Sequence, residues 1–250
     1  MKHLFALLVL AGASVNASTI NLDLGLVANY TFQQNENDIT GNVSNSVVGG
    51  QQTTGVYGNG WQFTQAGQQI VGTSVFLPTG NSPRTISAWI RADSLNPEMK
   101  PVVLGGISPY NNGDVFGVMR RFNGMWSFWA NGFAFESYTS NQVDLNWHHH
   151  LLSYDNLSGI AYYYIDAVLN ATWSGSLNTY GQTLSFASID DDSNGFGFIG
   201  ALDEVRVYSR AITSQDEINA LYAVPEPSSI SLLALGGVVV ALRRLLGQNY

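Results

Sequence analysis

A run of Asp, Ser and Asn residues late in the chain is the segment best suited to hold a cation. Asp190, Asp192 and Asn194 occupy alternate positions, and Gly195 follows them. Carboxylate and amide oxygens are the ligands that calcium prefers, and this spacing begins an EF-hand loop. Ala201 stands where such a loop needs a bidentate Glu, so an EF-hand is not expected. The segment predicts a calcium loop of another kind or, alternatively, a polar turn with solvated charges.

Aromatic side chains form a second set of candidate binding residues. Trp126, Trp129, Trp173 and Tyr138 lie in a chain rich in Asn, Gln and Asp. The C–H face of a sugar ring is apolar and its hydroxyl groups are polar, so aromatic platforms beside amides suit a carbohydrate. Most aromatic residues of a folded domain are core residues. We therefore expect one or two of these side chains to be exposed.

Three consecutive histidines, His148, His149 and His150, are a weaker metal candidate. On a strand the first and third side chains project from one face. Two imidazoles supply half of a tetrahedral zinc site, and the sequence does not indicate the other ligands. The tract therefore favours a structural role.

The composition argues against one class of function and limits the sources of stability. The 250 residues carry a net charge of −8 with 10 Lys and Arg, which argues against nucleic-acid binding because a phosphate binder needs a basic face. The chain has no Cys, so stability must come from packing, hydrogen bonds or bound ions.

Short apolar or alternating segments, separated by Gly- and Asn-rich turns, recur along the chain and predict an antiparallel all-β sandwich. Trp89 and Trp147 are expected to dominate the core because of their size. The predicted strands are 26–32, 60–63, 69–71, 84–91, 102–104, 115–121, 125–129, 133–138, 147–154, 160–166, 184–187 and 196–208.

One short helix is predicted at the end of the domain. Ser214 and Glu217 have the spacing of a capping box, in which each side chain satisfies a free backbone N–H. Ile218, Leu221 and Tyr222 then share a face that can pack on the sheet.

Several segments in this order resemble the laminin G-like, concanavalin A-like jelly-roll family. They are Tyr30-Thr31-Phe32, Thr85 to Ile90, Trp147-His148-His149, Tyr164-Ile165-Asp166 and Gly200 to Ala211. The resemblance implies two stacked antiparallel sheets. The family usually has Asp-Gly where this chain has Asp166-Ala167, so we expect a longer turn or a turn of another type there.

The same resemblance implies a structural calcium between the last strand and the N-terminal part of the domain. The matching residues are Asp203, Asp38 and Asn42. The alternative is that Asp203 forms an ordinary ion pair.

Catalysis is not expected. Glycosidases of this fold carry Glu-x-Asp-x-x-Glu on one strand, which supplies the two carboxyl groups of the reaction. The sequence has no such pattern, and its Glu residues are scattered.

The C-terminal segment has the parts of a protein-targeting signal. Pro225, Glu226 and Pro227 precede a short apolar run, and Arg243 and Arg244 follow it. These parts resemble the PEP-CTERM sorting signal of Gram-negative bacteria, which implies cleavage by an exosortase-type protease. Segment 229–246 is predicted to insert transiently in the inner membrane, since its apolar run is short for a permanent span of about 20 residues. The alternative is a plain membrane anchor.

The N-terminal segment predicts export as well. Lys2 and His3 precede an apolar stretch, and small residues ending at Ala17 form a cleavage site. We therefore expect a signal peptide over 1–17, a jelly-roll domain over 18–223 and the sorting signal over 224–250.

The sequence as a whole predicts an exported, non-enzymatic domain of the cell envelope, cell surface or extracellular matrix that binds carbohydrate or exopolysaccharide. A structural adhesion module that contacts surface proteins is the first alternative. A divergent polysaccharide-degrading enzyme is the second.

Overall fold

The computed structural model describes residues 20–95, 99–106, 114–121, 123–130, 136–187 and 197–223, with the backbone alone over 136–142. Ala17, the loop with Asp190, Asp192 and Asn194, and the sorting signal with its apolar segment 229–246 lie outside these residues. The elements are β1 (Leu26–Tyr30), β2 (Ser44–Val48), β3 (Gln51–Thr54), β4 (Asn59–Phe63), β5 (Gln69–Thr73), β6 (Arg84–Ala92), β7 (Met99–Leu104), β8 (Phe116–Arg120), β9 (Met125–Trp129), β10 (Glu136–Gln142), β11 (Trp147–Asp155), β12 (Ile160–Ile165), β13 (Val168–Ser174), β14 (Thr183–Phe186), β15 (Gly200–Tyr208) and α1 (Gln215–Tyr222).

The strands form two antiparallel sheets. The eight-stranded sheet has the order β13-β12-β11-β6-β15-β4-β3, and β1 also pairs with β15. The seven-stranded sheet has the order β10-β9-β8-β7-β14-β5-β2. The predicted all-β jelly-roll sandwich with one short C-terminal helix is confirmed.

The core lies between the sheets, and the alternation in the sequence identifies its faces correctly. Inward positions are Ile86, Ala88 and Ile90 in β6, and Val205 and Val207 in β15. Trp89 and Tyr208 project from the other face of the same sheet. Because strand side chains alternate between faces, each strand contributes every second residue to the core.

A bulge interrupts this alternation in β15. The register shifts between Asp203 and Arg206, so that Leu202 and Val205 both reach the core although they are three residues apart. Glu204 has a φ of 48°, which a residue with a Cβ adopts only at a cost. The extra residue buries two acidic side chains side by side, since Asp203 is 0% and Glu204 8% exposed.

The turn between β12 and β13 differs from the prediction. It is a two-residue turn after all, and both Asp166 (φ 51°) and Ala167 (φ 63°) adopt the left-handed conformation of a type I′ hairpin. The Asp166 carboxylate bonds to Nδ1 of His148 at 2.6 Å and accepts the backbone N–H of His149 at 2.9 Å. These contacts hold the tight turn despite the alanine.

Replacing Ala167 with Gly is therefore expected to raise the free energy of unfolding by about 0.5–1 kcal/mol, because glycine adopts positive φ without steric cost. Urea unfolding measures the change. Ala220→Gly, in the middle of α1, is the matched control and should cost about 1 kcal/mol. A lower stability for A167G would show that the turn carries no strain.

The predicted helix is confirmed as α1, but the capping box is not. The Ser214 side chain makes no cap hydrogen bond, and Glu217 pairs with Arg210 at 2.6 Å. An Arg partner competes with the backbone N–H for the Glu carboxylate. Ile218 and Leu221 are buried against the outer face of the eight-stranded sheet.

The two tryptophans expected to dominate the core lie outside it. Trp89 is on the outer face, where Tyr222 stacks on it with ring centroids 5.5 Å apart. Trp147 is half-buried, with the Arg91 guanidinium 5.1 Å from its ring centroid. The largest fully buried aromatic residues of the inter-sheet core are instead Tyr30, Phe32, Phe63, Phe116, Phe128, Tyr154, Tyr163, Phe186 and Phe198.

The membrane segment predicted over 229–246 lies outside the described residues. Within them, no helix is both long and apolar enough to cross a membrane.

Candidate functional site

Asp38, the first residue of the predicted calcium set, closes the loop between β1 and β2 and is 7% exposed. Its carboxylate accepts five hydrogen bonds. The donors are Asn29 N at 2.7 Å, Thr40 N at 3.1 Å, Thr40 Oγ1 at 2.6 Å, Asn42 N at 3.0 Å and Val43 N at 3.0 Å. An ionised carboxylate has about four acceptor sites. Asp38 therefore does not fit a calcium ligand in this conformation.

Asp203 has a different set of neighbours. Its carboxylate accepts the backbone N–H groups of Tyr57 and Glu204, each at 2.8 Å. Burial raises the pKa of Asp203 to about 7, and the nearby charge of Glu204 adds to the shift. Arg206 is bonded to Glu204. In the described part of the chain, no hydrogen bond links Asp203 to Asp38 or Asn42.

The calcium hypothesis stays a prediction. Asn42 donates its side-chain amide to the carbonyl of Val27 at 2.9 Å. Among the residues with described side chains, no group of three or more His, Asp or Glu is arranged to hold a metal ion.

The three histidines are held apart by separate partners. The partners are Asp166 at 2.6 Å and Asp144 at 3.1 Å for His148, Ser87 Oγ at 2.8 Å for His149, and Tyr163 OH at 2.8 Å for His150. Burial lowers the pKa of His149 and of His150 to about 3, so both are neutral at ordinary pH. The three histidines are therefore part of the hydrogen-bonded structure of the sheet.

Two of the four aromatic residues predicted to bind sugar belong to the inter-sheet core. Trp126 is 3% exposed and lies edge-on to His150, with ring centroids 4.6 Å apart. Trp173 is half-buried and packs on Phe128 at 5.4 Å. Both rings pack on the core between the sheets, so neither is an open platform in this conformation, and their part in sugar binding stays a prediction.

Trp129 projects from the outer face of the seven-stranded sheet, since it alternates with inward-facing residues of β9. It clusters there with Val103, Val115 and Met119. The Lys100 ammonium lies 5.5 Å from its ring centroid. Trp129 is only 7% exposed. Tyr138 pairs with Ser127 in the neighbouring strand, and its side chain is not described.

Exposed aromatic residues are found at one end of the seven-stranded sheet. Phe76 is 60% and Tyr180 55% exposed, and Val75, which precedes Phe76 in the sequence, is 73% exposed. Asn178 and Gln182 are exposed amides on the same loop as Tyr180. We call these residues, Val75, Phe76, Asn178, Tyr180 and Gln182, the rim.

Hydrogen bonds join the two loops of the rim. Ser74 N donates to the carbonyl of Gln182 at 3.1 Å, and Gln182 Nε2 donates to the carbonyl of Val75 at 3.2 Å. Tyr180 N donates to the carbonyl of Asp114 at 2.8 Å, and the carbonyl of Tyr180 accepts from Gly106 N at 2.5 Å. The backbone that presents the Tyr180 ring is thus fixed on both sides.

A buried guanidinium positions the loop that supports the rim. Arg84 is 0% exposed, and its donors bind the carbonyls of Pro78, Thr79, Gly80 and Ser82 at 2.7–3.3 Å. Gly80 and Thr179 exchange two backbone hydrogen bonds, of 2.8 and 3.1 Å. Burial lowers the pKa of Arg84 to about 10, so it stays charged at neutral pH.

The chemistry of the rim suits an uncharged ligand with apolar and polar faces. Aromatic rings offer stacking surfaces, and side-chain amides both donate and accept hydrogen bonds. None of the five rim residues is charged. Phe76 could not be predicted as a site residue from the sequence, because an isolated aromatic residue in a loop has no periodicity. Only its position beside Ser74 and Pro78 signalled a turn.

Comparison with known proteins places the fold. Domain 4 of AbnA, an extracellular arabinanase from Geobacillus stearothermophilus, in complex with arabinotriose, matches with a TM-score of 0.64 and 19% identity over 79% of this chain and 98% of that one. The binding domain of Paraclostridial Mosquitocidal Protein 1 matches with a TM-score of 0.63 and 19% identity over 79% and 52%. Trypanosoma rangeli sialidase matches with a TM-score of 0.63 and 19% identity, over 79% of this chain and 32% of the sialidase chain. At these identities the likeness concerns the fold alone.

Among curated protein sequences, none matches this chain. Residues 223–244 match the PEP-CTERM protein-sorting motif. That motif implies processing by exosortase and export to the cell envelope or surface of a Gram-negative bacterium.

A protein-family model matches most of the sandwich, from the end of β4 into α1. Residues 64–219 match the family described as the concanavalin A-like lectin/glucanases superfamily. The two antiparallel sheets and the matched span together show that this chain belongs to the concanavalin A-like lectin/glucanase superfamily.

Proposed function

We propose that this exported domain binds a neutral polysaccharide at the cell surface or in the extracellular matrix and does not cleave it. The observation that carries the proposal is the rim, where Phe76 and Tyr180 are exposed on loops that hydrogen bonds hold in place. Exposed apolar groups that cluster on a monomer commonly mark an interaction site.

The rigidity of the rim favours recognition. Ordering a flexible loop on binding costs about 0.5–1.5 kcal/mol for each immobilised side chain. The backbone of Tyr180 is already fixed by hydrogen bonds to Asp114 and Gly106, so less ordering remains when a ligand binds. The absence of charge among the five rim residues favours a neutral sugar over an acidic one.

The route to the surface belongs to the same proposal. The apolar segment 229–246 holds the chain in the inner membrane until an exosortase-type protease cuts near Pro225-Glu226-Pro227. The domain then reaches the exterior, where its polysaccharide ligand is found.

Tyr180→Ala is expected to weaken polysaccharide binding about tenfold, because stacking of an aromatic ring is worth about 1.5 kcal/mol. Affinity electrophoresis of the exported protein measures the change. The gels contain arabinan or the neutral matrix polysaccharide of the bacterium that produces the protein. Leu157→Ala is the matched control, since Leu157 is 92% exposed in a turn remote in sequence from the rim.

Three outcomes would contradict this proposal. Equal retardation of Y180A and wild type would remove the rim as the binding site. Capture of a surface protein without any polysaccharide retardation would favour the adhesion module. Release of new reducing ends from the polysaccharide would favour the degrading enzyme.

A further inference from the structure

The loop after β1 forms a polar cleft that shares no residue with the rim. Its lining residues are Thr31, Gln33, Gln34, Asn35 and Ile39, and its volume is about 190 Å³. Sites that enclose a whole small molecule have about 300–1,000 Å³, so this space suits one unit of a longer chain. None of the five residues is charged. We call these five residues the cleft.

The Gln33 side chain fixes one wall of the cleft. Its Nε2 donates to the carbonyl groups of Thr31 at 3.0 Å, Tyr57 at 2.5 Å and Asn59 at 3.2 Å, which share its two hydrogens. Its Oε1 accepts the backbone N–H of Asn59 at 3.2 Å. The amide therefore ties the loop after β1 to the turn between β3 and β4.

Phe32 holds the backbone of the cleft in an unusual conformation. Its φ is 55°, which a residue with a Cβ adopts only at a cost. The ring is 1% exposed and lies 6.3 Å from the ring centroid of Phe186 in the inter-sheet core. The Phe32 carbonyl accepts from Nε2 of Gln52 at 3.0 Å. Such a conformation persists only where surrounding contacts determine it, so the backbone between Thr31 and Gln33 is fixed.

Ile39 supplies the apolar part of the cleft. Its side chain is 63% exposed, while its backbone N–H donates to the carbonyl of Asn29 at 2.9 Å. The Asp38 carboxylate holds the residues on both sides through the N–H groups of Asn29 and Thr40. An exposed aliphatic side chain is therefore presented on an ordered backbone.

Polar groups of the cleft are available to a ligand. Within the described part of the chain, the Thr31 hydroxyl, the Gln34 amide and Nδ2 of Asn35 have no hydrogen-bond partner, while Oδ1 of Asn35 accepts Asn37 N at 3.0 Å. Amides both donate and accept hydrogen bonds, as sugar hydroxyl groups require. The apolar C–H face of a sugar ring matches Ile39. The absence of charge in the cleft favours a neutral sugar.

We propose that the cleft is a second subsite for the neutral polysaccharide and holds one sugar unit between the Gln34 amide and the Ile39 side chain. The class of ligand rests on the proposed function, whereas the site does not. The chain of the cleft enters β2 at Ser44, which pairs with Thr73, two residues before Val75 of the rim. Two subsites on one domain bind a long polysaccharide more tightly than either alone.

Affinity electrophoresis of the exported protein, in the same polysaccharide gels, tests the cleft. The double variant Q34A/I39A should raise the dissociation constant about tenfold, because a hydrogen bond and an apolar contact with the sugar are lost. Its urea midpoint should equal that of wild type, since both side chains are exposed. N156A/L157A removes an amide and an exposed aliphatic side chain at the β11–β12 turn and should bind like wild type. Equal retardation of the two double variants overturns the proposal.

An NMR titration separates the cleft from the rim. The ligand is a set of oligosaccharides cut from the same polysaccharide. Signals of the Gln34 side-chain amide and the Ile39 methyl groups should shift saturably in wild type and also in Y180A. Shifts at the cleft without shifts at Phe76 support the cleft and contradict the rim. Shifts at the rim alone overturn the cleft and leave the proposed function standing, and an absence of shifts at both overturns both.

Discussion

Replacing Asp38 with Asn is expected to lower the free energy of unfolding by about 3 kcal/mol. The Asp38 carboxylate accepts from the backbone N–H groups of Asn29, Thr40, Asn42 and Val43. An amide group has one acceptor oxygen where the carboxylate has two, so the N–H groups beside its NH₂ lose their partner. Each unsatisfied buried donor costs about 1–3 kcal/mol. Urea unfolding at neutral pH measures the loss.

Asp93→Asn is the matched control for Asp38. Asp93 forms a partly exposed ion pair with Arg91 at 2.7 Å, and such pairs contribute less than about 1 kcal/mol. Measuring D38N with and without EDTA also separates hydrogen bonding from metal binding. An equal loss under both conditions supports the hydrogen-bond account. A wild-type melting temperature that falls with EDTA and recovers with calcium would support the calcium prediction, and an unchanged one would contradict it.

Arg84→Met is expected to cost about 4 kcal/mol and to abolish binding at the rim. Four backbone carbonyls, at Pro78, Thr79, Gly80 and Ser82, lose a buried charged donor. Three of them share the two hydrogens of Nη2, so the loss corresponds to about two full hydrogen bonds to a charged group, each worth about 1.5–3 kcal/mol. The loop they form is bonded to the loop of Tyr180 through Thr179. Urea unfolding and affinity electrophoresis measure the two effects.

Arg91→Met is the control for Arg84, because the Arg91 guanidinium is partly exposed, pairs with Asp93 and lies over the Trp147 ring rather than holding a loop. Arg84→Lys keeps the charge but not the planar fork of donors, so it should restore less than half of the loss. If R84M and R91M unfold at the same urea concentration, the buried guanidinium does not organise the loop.

The sequence predicted the parts of the fold that depend on periodicity. Alternation separates Ile86 from Trp89 in β6, and the structure places Ile86 and Val207 of β15 in the core and Trp89 on the outer face. Apolar spacing predicted α1 as well. These features are local, since each is set by side chains a few residues apart.

Features that depend on distant partners could not be predicted in this way. Trp126 and Trp129 are three residues apart, so a regular strand places them on opposite faces of β9. Alternation alone does not show which of these faces is buried. The turn at Ala167 is tight because Asp166 is bonded to the histidines of β11. The burial of Arg84 follows from four carbonyls of a loop, which no spacing reveals.

The measurement that tests the sugar-binding account most directly is a titration of the exported protein with a neutral polysaccharide, followed by NMR of its aromatic rings. The account predicts saturable shifts at Phe76 and Tyr180 with no change at Trp129. Shifts at Trp129 alone would move the site to the outer face of the seven-stranded sheet. The absence of any shift at the rim would contradict the account.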